Sequence, residues 1–204
     1  PHKQQVIAQF SLASTTELEK AIVAAQQIES EMAEMPSYQK QSILNGIANG
    51  LESEKEELAK TLSLEAGKPM KYSLGEVDRA IQTFRVAAEE CKRIPSEVIQ
   101  LDWTPAGKGK EGILKYFPVG IVAGISPFNF PLNLSVHKIA PAIAAGCPII
   151  LKPARSTPLS ALELARIAYE NGLPKGALSV LPMDRVSGNQ LVTDERFALL
   201  SFTG

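Results

Sequence analysis

The sequence has few cysteines and no excess of positive charge. Its 204 residues include two cysteines, and 21 Lys and Arg against 22 Asp and Glu give a net charge of -1. Cys91 and Cys147 lie far apart, which argues against a disulfide framework and favours a reducing compartment, so we expect a cytoplasmic protein. Without surplus positive charge, neither nucleic acid nor an anionic membrane surface is an expected partner.

Long hydrophobic runs are also missing. No apolar stretch approaches the roughly 20 residues that cross a bilayer, so we predict no membrane segment. The two histidines and two cysteines show no metal-ligand spacing, so we predict no metal site. Hydrophobic residues nevertheless make up 45% of the chain, which suffices for a substantial core. These features favour a globular protein that binds a small neutral or anionic ligand.

Residues 1–93 carry four amphipathic helical patterns. Ser14 and Glu17 form a capping box, and apolar residues recur at helical spacing from Leu18 until Pro36. Three further stripes follow, and Gly67 and Pro95 mark the ends of the last two. We therefore predict a helical first half.

Residues 94–118 have a different pattern. Two short apolar runs flank a turn rich in glycine, which predicts a β-hairpin. An isolated hairpin is only marginally stable in water, so this one must pack on its own domain or on another subunit. The sequence leaves both possibilities open.

From residue 119 onward strands and helices alternate. Apolar runs at 119–125, 148–152, 178–181 and 197–202 predict strands, and helical patterns lie between them. Thr157, followed by Pro158, is a predicted helix start. Repeated strand-helix-strand units predict an α/β fold with a partial doubly wound parallel sheet. Because the last strand would leave apolar surface uncovered, we expect the chain to be a fragment of a longer protein.

Polar residues follow two of the predicted strands. Asn129 lies after the first strand and Lys152 ends the second. In an open parallel sheet, ligands bind in the crevice at the carboxyl ends of the strands. The prolines on either side of Asn129 restrict the backbone, as a preorganised hydrogen-bond donor requires, although an ordinary loop asparagine is the alternative.

Five motifs resemble those of the NAD(P)-dependent aldehyde dehydrogenase superfamily. They are Glu65-Ala66-Gly67-Lys68-Pro69, Pro127-Phe128-Asn129-Phe130-Pro131, Ala145-Gly146-Cys147-Pro148, Leu151-Lys152-Pro153-Ala154 and Ser201-Phe202-Thr203-Gly204. The resemblance covers nearly the whole chain and implies an N-terminal fragment of such an enzyme. It implies that 1–93 is the helical part of the cofactor-binding domain, 94–118 an oligomerisation hairpin and 119–204 a partial Rossmann-like nucleotide-binding sheet.

The resemblance also implies an activity and its partners. The intact protein would be a homo-oligomer that oxidises an aldehyde to a carboxylic acid with NAD or NADP through a cysteine thioester. The reactive cysteine, the general-base glutamate and the pyrophosphate-binding helix would lie beyond Gly204, so we expect these residues alone to be inactive and to bind the cofactor weakly. A CoA-acylating or acid-reducing member of the superfamily, or a non-catalytic nucleotide-binding or assembly module, remains an alternative.

Site residues follow from the same resemblance. Asn129 would hold the oxyanion formed when the cysteine attacks the aldehyde, and Lys152 would bind the hydroxyls of the adenine-side ribose, unless it is simply a solvated lysine. The remaining cofactor-binding residues would be Ile125, Ser126, Pro127 and Phe128 on the nicotinamide side, Ala154 and Arg155 after the second strand, and Phe202 and Gly204 at the last strand.

Two positions depart from the family pattern. Arg155 stands where many relatives have a glutamate that binds the ribose 2'-hydroxyl. A guanidinium can pair with a 2'-phosphate, which favours NADP, but a solvent-facing arginine is an equal alternative. The loop at 182–185 lacks the glycines common at the adenine edge, which leaves adenine contacts there open.

Overall fold

The structure is a computed structural model that describes residues 6–204. These residues contain six strands and seven α-helices. The strands are β1 Ser96–Gln100, β2 Glu111–Lys115, β3 Val122–Ile125, β4 Ile149–Lys152, β5 Leu178–Val180 and β6 Leu199–Phe202. The helices are α1 Thr15–Glu34, α2 Ser37–Ser53, α3 Lys55–Ala66, α4 Met70–Glu90, α5 Pro131–Ala145, α6 Leu159–Glu170 and α7 Arg185–Thr193.

Four parallel strands form the central sheet in the order β5-β4-β3-β6. The chain first builds outward from β3 through β4 to β5, and then returns to the opposite side of β3 to form β6. This reversal makes β3 the switch point of the sheet, and open parallel sheets bind their ligands at the carboxyl ends of the strands at such a point. The predicted α/β fold, with N-terminal helices followed by a partial doubly wound parallel sheet, is confirmed.

Both faces of the sheet are buried at β3, β4 and β5, whereas Leu199, Leu200 and Phe202 of β6 are exposed. Alternate residues of the strands point to opposite faces, so Val122 packs with helices α2 to α6 whereas Ala123 packs against α1. Likewise, Ile149 and Leu151 pack on the same face as Val122, and Ile150 packs on the same face as Ala123. Helix α2 packs against α6, and helix α4 packs against α5. The buried side chains of these four helices form one hydrophobic cluster with one face of the sheet. The predicted helical part and the sheet therefore share one hydrophobic core.

The hairpin formed by β1 and β2 carries large apolar side chains that face solvent. The strands pair antiparallel with Val98 opposite Ile113, and these two side chains are 64% and 66% exposed. Trp103, in the connection between the strands, is 79% exposed. This hairpin, predicted from the two apolar runs, leaves its apolar surface uncovered in the single chain.

Local signals located most helices correctly. The capping box of α1 is present, because Thr16 N–H donates to the Ser14 hydroxyl and Ser14 N–H donates to Glu17 at 2.9 Å. The first strand of the sheet is shorter than predicted and starts at Val122. Gly120 has a φ of +114°, which is incompatible with an extended strand, so residues 119–121 lie outside it.

Helix α6 begins at Leu159, close to the start predicted at Thr157 and Pro158, but the Thr157 side chain does not cap it. The Thr157 hydroxyl is buried without a hydrogen-bond partner among the described residues. Instead, the Glu65 carboxylate, at the end of α3, accepts hydrogen bonds from Leu159 N–H at 2.7 Å and Ser160 N–H at 3.2 Å. A carboxylate at a helix N-terminus satisfies free N–H groups and complements the helix dipole. Burial raises the pKa of Glu65, although these hydrogen bonds oppose the shift.

Candidate functional site

The carboxyl ends of three strands meet at one edge of the sheet. Ile125 at the end of β3 is in register with Lys152 of β4 and Phe202 of β6. The pairing continues beyond the strands, because Ser126 N–H donates to Lys152 O and Thr203 N–H donates to Ile125 O, both at 3.1 Å. Three segments that the sequence motifs single out therefore lie side by side where a parallel sheet binds its ligand.

The loop between β3 and α5 places different side chains in different environments. Ser126 is buried and shares a hydrogen bond of 3.0 Å with Ser135 on α5. Its hydroxyl therefore faces the helix, which leaves the backbone for any contact with a ligand. Pro127 is half-buried, whereas Phe128 is 65% exposed and Asn129 is also exposed. The amide of Asn129 is thus available to a ligand at the surface of this edge.

Lys152 is a half-buried cation with no ion-pair partner in residues 6–204. Burial lowers its pKa, and the charge of Asp184 partly opposes that shift. Its aliphatic stem passes over Gly188 on α7, where a Cβ atom would lie 2.6 Å from the lysine Cε. The glycine therefore leaves space for the lysine, and the unpaired ammonium group fits an uncharged polar or an anionic ligand group.

The next residues extend this edge toward α7. Ala154 is half-buried and Arg155 is exposed. Asp184 is the N-cap of α7 and accepts a hydrogen bond of 2.7 Å from Ser187 N–H. That hydrogen bond lowers the pKa of Asp184, and the nearby charge of Arg155 contributes to the same shift. Arg185, in the loop that departs from the family pattern, is the exposed first residue of α7.

The last residues complete the edge on the other side of β3. Phe202 ends β6 with 65% of its surface exposed, and Gly204 is exposed two residues later. A Cβ at Gly204 would lie 2.5 Å from the Phe202 ring, so the glycine allows the backbone to pass close to this side chain. Both predicted positions therefore lie next to the Ile125 end of β3.

Sequence reasoning missed Lys138, a buried lysine in the middle of α5. Its ammonium group donates to Thr203 Oγ1 at 2.9 Å and is 3.3 Å from Ser201 Oγ. Both of these partners are uncharged hydroxyl groups. Burial lowers the pKa of Lys138. A detectable signal was its place on the buried face of α5, between Ser135 and Ala142 at helical spacing. Lys138 links α5 to the same edge of the sheet.

The structure also contains two buried acids that sequence reasoning did not assign to the site. Glu65 caps α6, and Glu76 is fully buried and accepts hydrogen bonds from the first turn of α5. Glu76 lies on the buried stripe of α4 together with Ser73 and Ala80. An acidic residue on an otherwise apolar stripe was the available signal. Its partners on α5 could not be identified, because they lie more than 50 residues away in the chain.

Within residues 6–204, no group of three His, Cys, Asp or Glu side chains is arranged to hold a metal ion. No helix in the same range combines the length and the apolar character needed to cross a bilayer.

Fold and site together define an open parallel α/β domain whose switch point carries the candidate site. The sequence model of the aldehyde dehydrogenase family matches residues 1–204. The chain is 39% identical over 204 residues to 3-sulfolactaldehyde dehydrogenase from Priestia aryabhattai, covering 100% of this chain and 42% of that protein. It is 41% identical over 210 residues to lactaldehyde dehydrogenase from Methanocaldococcus jannaschii, covering 100% and 44%.

Solved structures agree with this result. Aldehyde dehydrogenase 21 from Physcomitrella patens, solved with the reaction product succinate, superposes with a TM-score of 0.96 at 48% identity, covering 99% of this chain and 42% of that chain. Glyceraldehyde-3-phosphate dehydrogenase from Methanocaldococcus jannaschii, solved with NADP, has a TM-score of 0.86 at 36% identity, covering 99% and 44%. The chain belongs to the aldehyde dehydrogenase family and spans less than half the length of these relatives.

Proposed function

We propose that this chain is the N-terminal, cofactor-binding part of an enzyme that oxidises an aldehyde to a carboxylic acid with NAD or NADP. One observation carries the proposal: the Asn129 loop follows β3 and Lys152 ends the adjacent parallel strand β4, in a chain of the aldehyde dehydrogenase family. The edge they share offers an amide donor and an unpaired cation. The amide can donate a hydrogen bond to a reacting carbonyl oxygen, and the cation can bind a polar group of a dinucleotide.

The residues around the crevice fit a dinucleotide in a definite order. Ile125 to Phe128 would contact the nicotinamide half through the backbone and apolar surface. Lys152 would donate to the ribose hydroxyls on the adenine side, with Ala154 beside it. Phe202 and Gly204 would form the turn that leads to the pyrophosphate site. When bound, the nicotinamide supplies the hydride acceptor for the oxidation.

Asn129 would act on the aldehyde itself. Addition of a cysteine thiolate to the aldehyde carbon places negative charge on the carbonyl oxygen, and the Asn129 amide would donate a hydrogen bond to that oxygen. With bound nicotinamide as the hydride acceptor, a thioester would remain on the cysteine, and water would hydrolyse it to the acid and the free thiol. Neither Cys91 nor Cys147 suits the nucleophilic role, because both are buried, and burial raises the pKa of Cys91. We place the nucleophile and its general base in the protein beyond Gly204.

The proposal includes a homo-oligomer in a reducing compartment such as the cytoplasm. The exposed apolar side chains of the hairpin, among them Val98, Trp103 and Ile113, would be covered by another copy of the protein. Free thiols at both cysteines are consistent with a reducing compartment.

Product analysis tests the activity. The complete protein that contains this chain should form reduced nicotinamide only when an aldehyde and NAD or NADP are both present, and should release the carboxylic acid without added CoA. Absorbance of the reduced nicotinamide and chromatography of the product measure these two results. Turnover that requires CoA would favour the acylating alternative, and the absence of turnover across a panel of aldehydes would contradict the proposal.

Arg155 is the proposed determinant of NADP use. Its exposed guanidinium lies near Lys152 along the chain and can form charge-assisted hydrogen bonds with a 2'-phosphate, whereas a carboxylate at this position would repel it. Changing Arg155→Glu should shift the ratio of NADP to NAD affinity toward NAD by about tenfold or more, since a phosphate-arginine hydrogen bond contributes about 1.5 to 3 kcal/mol. Fluorescence titration of both cofactors measures this ratio.

Arg185→Glu is the matched control for Arg155→Glu. Arg185 is an exposed arginine at the start of α7, next to Asp184, whose pKa the charge of Arg155 also affects. Its replacement by glutamate makes the same change in charge. We expect a much smaller shift in the affinity ratio from Arg185→Glu. An unchanged ratio in Arg155→Glu, or equal shifts in both variants, would show that Arg155 does not select the cofactor.

A further inference from the structure

A buried ion pair holds the backbone next to Asn129. The Lys68 ammonium donates to the backbone carbonyl of Asn129 at 3.0 Å and to the Glu76 carboxylate at 2.5 Å. The second oxygen of Glu76 accepts hydrogen bonds from Leu132 N–H at 3.0 Å and Asn133 N–H at 3.1 Å. One carboxylate thus connects Lys68 to the first turn of α5, and Lys68 connects both to the Asn129 loop.

Because this ion pair is buried, the position of the Lys68 ammonium is restricted. The Glu76 side chain is 0% exposed and the Lys68 side chain is 15% exposed. Buried charges are tolerated when they are paired and hydrogen-bonded, and their interactions are screened little by solvent. Any displacement of Lys68 would therefore leave the Glu76 charge incompletely compensated, so the ammonium has little freedom to move away from Asn129 O.

Phe130 is held by the same group. The Lys68 ammonium and the Arg79 guanidinium each lie 4.9 Å from the centre of the Phe130 ring. A cation over an aromatic face is attracted to the ring. Asn129 is therefore restrained at its own carbonyl and at the following side chain. In contrast, its exposed amide makes no hydrogen bond to another described residue, so the backbone must set its direction.

We propose that Lys68 and Glu76 are positioning residues that aim the Asn129 amide at the reacting carbonyl oxygen. The inference rests on the proposed function, since it assigns Asn129 the role of oxyanion donor. Lys68 and Glu76 themselves touch neither the aldehyde nor the cofactor; they act by fixing the Asn129 carbonyl and the start of α5. An oxyanion donor is effective only when its direction is set before the reaction.

A double-mutant cycle in the complete enzyme tests the proposal. Lys68→Met removes the ammonium but keeps an apolar stem of similar length. We expect kcat to fall by about tenfold to a hundredfold, because small misplacements of catalytic groups have effects of this size. The KM and the dissociation constant of the cofactor should change less than about twofold. In an Asn129→Ala background, Lys68→Met should lower kcat by less than about twofold, because the group that Lys68 positions is already absent.

Lys55→Met is the matched control. Lys55 pairs with Asp78 at 2.6 Å and also connects α3 to α4, but this pair is more exposed and does not contact Asn129. Its removal should leave kcat unchanged in both backgrounds. Lys68→Arg, which keeps the positive charge and the donors, should recover part of the activity lost in Lys68→Met.

The outcomes separate this inference from the proposed function. If Asn129→Ala is as active as the unmodified enzyme, the proposed role of Asn129 fails, and the positioning role fails with it. If Asn129→Ala is impaired but Lys68→Met lowers kcat equally in both backgrounds, only the positioning role is overturned. Should Lys68→Met fail to bind the cofactor, the same cycle with Lys68→Gln decides, because glutamine is too short to hold both acceptors.

Discussion

Replacing Asn129 by alanine should lower the kcat of the complete enzyme by about 10²- to 10³-fold, which corresponds to about 3 to 4 kcal/mol of activation free energy. The proposed Asn129 hydrogen bond strengthens as charge develops on the carbonyl oxygen, so its loss acts mainly on the transition state. The amide is exposed, on a loop that Lys68 contacts and that leads into Pro131 at the start of α5, so it is accessible to a ligand.

Steady-state kinetics with saturating cofactor measure this effect, and cofactor titration provides its control. Because Asn129 contributes nothing to the proposed ribose contacts, NAD or NADP affinity should remain within about twofold of the unmodified enzyme, a limit well below the tenfold that corresponds to 1.4 kcal/mol. Asn129→Asp keeps the size of the side chain but removes the amide donor, so it should be at least as impaired as Asn129→Ala. A kcat within threefold of the unmodified enzyme in either variant would refute the oxyanion role.

Gly146→Ala should reduce the free energy of unfolding by about 2 to 5 kcal/mol. Gly146 ends α5 with a φ of +81°, a left-handed conformation that costs a residue with a side chain about 1 to 2 kcal/mol. An alanine Cβ would also lie 2.7 Å from the backbone carbonyl oxygen of Met32 on α1. Relief of this contact requires a shift of packed backbone, and overpacking of this kind costs about 1 to 3 kcal/mol.

Gly172→Ala separates the cost of the left-handed backbone conformation from the cost of the steric contact. Gly172 follows the end of α6 with a φ of +88°, but no atom lies within 4 Å of the position that its Cβ would occupy. This variant should therefore lose only the conformational part, about 1 to 2 kcal/mol. Urea denaturation followed by circular dichroism measures both losses. Equal losses in the two variants would mean that the approach of Met32 to Gly146 does not contribute.

The helices and the parallel sheet were largely predictable because their signals are local. The spacing of apolar residues depends on the period of each element, and the Ser14 and Glu17 capping box involves side chains three residues apart. The residue that caps α6 was not predictable for the opposite reason. Thr157 is next to that helix in sequence, whereas the actual cap, Glu65, is 94 residues from Leu159.

The residues of the candidate site were likewise predictable only in part. Motif order was enough to single out Asn129 and Lys152, because parallel strands joined by right-handed crossovers bring their carboxyl ends to one edge. Lys68 was visible only as part of a motif, and nothing in that motif indicated that its ammonium contacts the backbone of Asn129, 61 residues away. Lys138 was visible only as a lysine on an apolar helix face.

The sequence by itself determined the family, the type and order of the secondary-structure elements and the segments that meet at the candidate site. Tertiary structure alone decided which buried charges are neighbours: Glu76 with Lys68, Glu65 with the start of α6, and Lys138 with the end of β6. The physical reason is that periodicity and capping act within a few residues of the chain. A buried charge, in contrast, is stabilised by whatever partner the packed fold brings to it.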